Sequence, residues 1–178
     1  MCASQLNALL SGHLLKRATD MVPAPALDQL SQADFHLRYY DLCERFPLRP
    51  SRRLRPSEKR VGAILDRLGR KPRSQEGARA FEFGRVLDGV ATLQAVALQS
   101  GEIVEFWFSA KLPSGEVGDT LAILARSIVL HAGLREPNPP YPRPTYTSLD
   151  ELERVLKEGL ALADEACAAM VASRPTKA

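Results

Sequence analysis

Cysteine is scarce. Cys2, Cys43 and Cys167 are the only three in 178 residues, and they are far apart with no C-x-x-C pair. That excludes a disulfide framework and the usual zinc-ligand spacing, and it fits a reducing compartment, the cytoplasm. Long apolar runs are missing too. None approaches the roughly 20 residues that a membrane-spanning helix needs, so no membrane partner is expected. The opening MCASQLNALLSGHLL has no positive charge ahead of its apolar part and is interrupted by Asn7, Ser11, Gly12 and His13. It reads poorly as a secretory leader.

Catalytic residue types are thin as well. The three histidines, His13, His36 and His131, fall on three separate predicted helices, so no spacing places one beside a nucleophile as covalent catalysis requires. His36 and Cys43 share a helix, but seven residues of helical rise separate their backbones by roughly 10 Å. Asp88, Glu102 and Glu105 are the only acids near the predicted strands that could converge on an ion, and Val90 to Gln99 carries none. Too few carboxylates converge for a metal centre. GEVGDT at 115–120 lacks the lysine and the length of a phosphate-binding loop. The expectation is therefore no catalytic set, no metal and no cofactor. An enzyme of unrecognised type would need a deep pocket lined by Asp88, Glu102 or His36.

What the chain does have is a globular balance, 45% hydrophobic and 25% charged residues, enough for one domain spanning 1–178 with its own core. Arginine outnumbers lysine eighteen to six, a usage compatible with a GC-rich bacterial coding sequence. The net charge of +3 hides an asymmetry: residues 49–79 hold eleven of the 24 Lys and Arg but only three acids, Glu58, Asp66 and Glu76. Such a segment says more about partners than the net charge does.

Periodicity predicts the elements. Leu6, Leu9, Leu10 and Leu14 suggest a short helix over 4–17, which Pro23 and Pro25 are expected to end. Ser31 with Asp34 reads as a capping box for a helix carrying Phe35, Tyr39, Leu42 and Phe46 on one face. Ser57 caps the next, with Val61, Ile64, Leu65 and Leu68 inward and Gly69 as its stop. From Ala80 the period changes to two, and Ser100-Gly101 is a hairpin signal, so a three-stranded antiparallel meander is expected at about 80–112. LAILARSIVLHAGL lies in a buried helix at about 118–132. Five prolines between Pro137 and Pro144 make a stiff strap over 137–146. Ser148 and Glu151 open a long C-terminal helix, about 149–171. The fold class is α+β.

Two surfaces stand out as binding candidates. Arg52, Arg53, Arg55, Lys59, Arg60, Arg67 and Arg70 can bind carboxylates or phosphates, the arginines in a two-pronged fashion. Trp107 lies on the strand face opposite Phe106 and Phe108, where an exposed aromatic suits an interface. No aromatic lies between Phe46 and Phe81 to stack on a base. The expectation is a non-catalytic protein, such as an inhibitor, immunity-type neutraliser, chaperone or assembly factor, that engages an acidic protein. The alternative is a nucleic-acid-binding accessory protein using 49–79 on phosphates. An exposed apolar seam on the last helix would indicate a homo-oligomer.

Overall fold

A computed structural model describes residues 22–49, 54–74, 80–99 and 102–174. The helix expected at 4–17, the Ser100-Gly101 turn and the side chains of Arg52 and Arg53 lie outside these residues.

The first described helix, α1 (Ala24–Gln32), begins where a break was expected. Pro25 sits in its first turn, where the missing N–H has no helical partner to lose, and the Pro23 carbonyl accepts from Ala26 and Leu27 (2.9 and 3.2 Å). Ser31 is accordingly inside α1 and does not cap the next helix. Asp34 adopts a left-handed backbone (φ 53°), which Asp tolerates, and turns the chain into α2 (Phe35–Arg45) without a side-chain cap. The expected face is right: Phe35, Tyr39, Leu42 and Phe46 are all buried.

Helix α3 (Glu58–Arg67) starts at Ser57, whose Oγ accepts from the Arg60 N–H (3.4 Å), and buries Val61, Ile64 and Leu65. Its end is capped by Gly69 at φ 72°, which lets the amides of Gly69 and Arg70 return to the carbonyls of Asp66 and Leu65 (3.0 and 2.8 Å). That turn aims Arg70 back at the body of the protein.

Among the described residues the sheet has five strands in sequential antiparallel order: β1 (Arg73–Ser74), β2 (Ala80–Leu87), β3 (Val90–Gln99), β4 (Ile103–Leu112) and β5 (Gly115–Thr120). The three-stranded meander is thus present but extended. GEVGDT forms β5, and its single large apolar residue, Val117, left too weak an alternation to read. The buried helix therefore starts later, as α4 (Leu121–His131), with Thr120 Oγ1 accepting from Ile123 N–H (3.3 Å). Asp88 and Gly89, at φ 46° and 77°, make the tight β2–β3 turn.

One sheet face, with Phe81, Phe83, Val96, Val104, Phe106 and Phe108, is buried. Helix α5 (Leu149–Ala172) lies on it: Gln94 binds Asp164, and the Phe106 ring lies against Gly159. On the other face only the small residues Ala80, Ala95 and Thr120 are buried, while Leu93, Ile103 and Trp107 are half-buried and Val86 is 69% exposed. The seam of α5 at Leu152, Leu156, Ala163, Cys167 and Met170 is buried within the same core. It presents no apolar stripe for self-association.

The strap is stitched in place between α2 and β4. Val104 N–H donates to Pro144 O (3.0 Å), Tyr146 N–H to Glu102 O (3.1 Å), Thr145 N–H to Phe46 O (2.8 Å) and the Tyr39 hydroxyl to Pro142 O (2.8 Å). At the start of α5 Ser148 caps as expected, its Oγ accepting from Glu151 N–H (3.1 Å), while Glu151 Oε2 reaches one residue past the cap and accepts from Thr147 N–H (2.8 Å). Among the described residues no helix is long and apolar enough to cross a membrane.

Candidate interaction groove

Helix α5 is held by arginines along its length. Five of its six carboxylates are paired: Glu151 with Arg49 (3.4 Å), Glu153 with Arg67 (2.5 Å), Glu158 with Arg45, Asp164 with Arg70 and with Arg85 (2.7 Å), and Glu165 with Arg38 (2.5 Å). The partners come from α2, the loop after it, α3 with its cap, and β2. Three cations of the basic segment 49–79, Arg49, Arg67 and Arg70, are therefore answered within the chain. These pairs are mostly exposed, and each contributes little alone.

Arg70 and Asp164 are the exception. Their side chains are only 20% and 31% exposed, and Gln94 donates to the same carboxylate (2.7 Å). Burial alone would lift the Asp164 carboxyl, but the hydrogen bonds from Arg70 and Gln94, with the charges of Arg70 and Arg85, hold it below the usual range. A fork of this kind orients as well as attracts.

Above that pair, α3 and α5 enclose an open groove of about 680 Å³. Its apolar lining includes Leu68, Leu160 and Ala161; its rim carries four cations, Arg67, Arg70, Arg154 and Lys157, against two carboxylates, Asp150 and Glu153. Lys157 is exposed and has no ion pair among the described residues. Arg154 is exposed, with Nε to the Asp150 carbonyl (3.4 Å) and its guanidinium over the Phe46 ring at 5.5 Å. The groove can accept an elongated anionic segment with an apolar face. Nothing in it supplies a nucleophile beside a base.

Of the residues singled out from the sequence, Arg67 and Arg70 line this groove. Arg70 is committed to Asp164 in the same chain, so it shapes the rim and is not free to grip a partner. Arg55, Lys59 and Arg60 are exposed and form no ion pair among the described residues. Trp107 is half-buried on the sheet face turned away from α5, so it does not share a surface with the arginines. Arg154 and Lys157 do not stand out in the sequence, because on a helix dotted with acids their charges look like ordinary i, i+4 partners.

The acids considered for catalysis do not converge. Asp88 is in the turn before β3 and Glu102 in the turn after it, separated by a strand of about 30 Å, and His36 is buried in α2. Glu105 and Asp119 are the sheet's perturbed carboxyls. Burial raises Glu105 despite Arg143 (3.5 Å) and Gln99, and burial with the charge of Glu105 pushes Asp119 up to about 6 against a hydrogen bond from Thr120 N–H (2.7 Å). Among the described residues no three His, Cys, Asp or Glu side chains are grouped to hold a metal ion. Compared with protein-family models, with curated proteins and with solved structures, the chain matches none.

Proposed function

We propose that this is a non-catalytic binding protein that takes an acidic segment of a partner protein into the groove between α3 and α5. The observation that carries the reading is the groove's composition: around an apolar lining, Arg67, Arg154 and Lys157 stand exposed against two carboxylates, with the fourth cation, Arg70, held by Asp164. A carboxylate-rich segment with apolar residues at helical spacing satisfies both halves of that surface. Arg55, Lys59 and Arg60, outward on and before α3, extend the positive field and favour encounter with such a partner. Cys43 and Cys167, buried as free thiols, suit a reducing cytoplasmic setting.

The same three outward cations favour a second reading, in which nucleic acid binds through its phosphates. Asp150 and Glu153 in the groove oppose it. The test is fluorescence-detected titration with a short Glu- and Leu-rich amphipathic peptide, and with random duplex and single-stranded nucleic acid, at low and moderate salt. The groove reading expects peptide binding that weakens with salt and falls at least about tenfold when Arg154→Glu and Lys157→Glu reverse two rim charges. Binding of nucleic acid alone, lost with Arg55, Lys59 and Arg60 changed to Ala, establishes the second reading. Silence from every probe at low salt refutes both.

A further inference from the structure

We propose that Glu153 is an internal competitor for the groove, occupying in the free protein the place on Arg67 that the partner's carboxylate takes. The inference rests on the groove reading above and adds how the site is guarded. Arg67 reaches Glu153 from α3 with two nitrogens, Nη2 to Oε2 at 2.5 Å and Nε to Oε1 at 3.4 Å. This is the two-pronged geometry by which an arginine recognises any carboxylate. Both side chains line the groove, and both remain accessible, at 58% and 34% exposure.

The contact is built to be exchanged. Hydrogen bonding to Arg67 holds the Glu153 carboxyl below its usual range, so it is ionised and stays on the arginine at neutral pH. An exposed pair is weak, however, and a partner offering several carboxylates over an apolar face outcompetes one side chain. Glu153 then has somewhere to go. Lys157 lies four residues on along the same helix face, exposed and without an ion pair among the described residues, and Glu before Lys at that spacing is the favourable order. Arg67 is thereby released to the incoming segment, while the displaced charge is neutralised on α5.

The other acids of the helix do not share this position. Glu151 is tied to Thr147 one residue past the cap, and Asp164 is enclosed by Arg70, Arg85 and Gln94. Asp150 lines the groove but takes no ion pair there among the described residues. An uncommitted acid on the rim only repels a partner; Glu153 both repels and blocks the gripping residue. The groove therefore discriminates against single carboxylates and admits only segments that present several.

The experiment is the peptide titration repeated on Glu153→Gln, with Glu116→Gln as a control that removes the same charge from the β4–β5 hairpin. Glu153→Gln is expected to tighten peptide binding by about 1.5- to five-fold, the range an exposed pair allows, with Glu116→Gln within error of the parent. An equal gain in both variants, or no gain in Glu153→Gln while the parent binds, overturns the competitor but leaves the groove reading standing. Binding seen only in Glu153→Gln supports both. No binding by any variant overturns both.

Discussion

The ring of Phe106 on β4 fills the space that a Cβ at Gly159 on α5 would occupy. This contact sets the distance between the long helix and the sheet, and so the depth at which Glu153 and Asp164 stand relative to the arginines. Gly159→Ala is expected to cost about 1–3 kcal/mol by overpacking, offset in part by the roughly 1 kcal/mol that alanine gains over glycine inside a helix. Urea denaturation checks it. A net gain in stability would mean that α5 stands further from the sheet.

Asp164 should be the most costly carboxylate to remove from α5. Asp164→Ala leaves the half-buried Arg70 and the buried Gln94 without this acceptor, at a cost of about 1–3 kcal/mol. The double change with Arg70→Ala should cost less than the sum of the two, since the residues form one network. The pH dependence comes from the sign of the shift: a carboxyl held low in the folded state stabilises above the ordinary carboxylate range, and that contribution fades as pH falls through it.

Asp119 works in the opposite direction. Its carboxyl, pushed up to about 6 by burial, binds its proton more tightly folded than unfolded. Stability therefore falls as pH rises from about 4 to 6, and the penalty is complete above that window. Asp119→Asn keeps an acceptor for Thr120 N–H and should gain about 1–2 kcal/mol at pH 7, with the gain gone near pH 4, allowing for partial solvent screening. Thermal melts across that range decide it; identical profiles for the two proteins would show a well-solvated carboxyl.

The thiols make a simpler test. Burial pushes Cys43 up to about 12 and Cys167 up to about 11, so neither supplies a thiolate near neutrality. In the native protein at pH 8 a thiol reagent should leave Cys43 and Cys167 unmodified, and it should label both in denaturant. Rapid native labelling at Cys43 would show that α2 opens readily.

Local signals were readable where a single residue carries the chemistry. Ser57, Ser148 with Glu151, and Gly69 each declare a helix end because the free amides or carbonyls there need a particular side chain or a left-handed turn. Pro23 and Pro25 misled for a related reason: proline ends a helix from within but starts one equally well, and only the chain beyond it decides which. β5 was missed because GEVGDT owes its strand conformation to the neighbouring β4, with Gly118 lying so close to Phe108 and Ser109 that no Cβ would fit. Among the candidate site residues, Arg67 and Arg70 were visible as charges, whereas their commitments to Glu153 and Asp164, more than eighty residues along the chain, were not.

The amino-acid sequence by itself determined the α+β class, the helix-capping chemistry, the alternating strands and the concentration of arginine in 49–79, because each arises from short-range spacing and composition. The tertiary structure alone decided which arginines remain available. Laying α5 across the sheet sets its acidic side against α2, α3 and β2, so Arg49, Arg67 and Arg70 are paired within the chain while Arg55, Lys59 and Arg60 take no ion pair among the described residues. The groove between α3 and α5 takes its character from residues far apart in sequence. Ion pairing over such distances has no local signature, since a guanidinium is equally suited to a partner's carboxylate and to its own chain's.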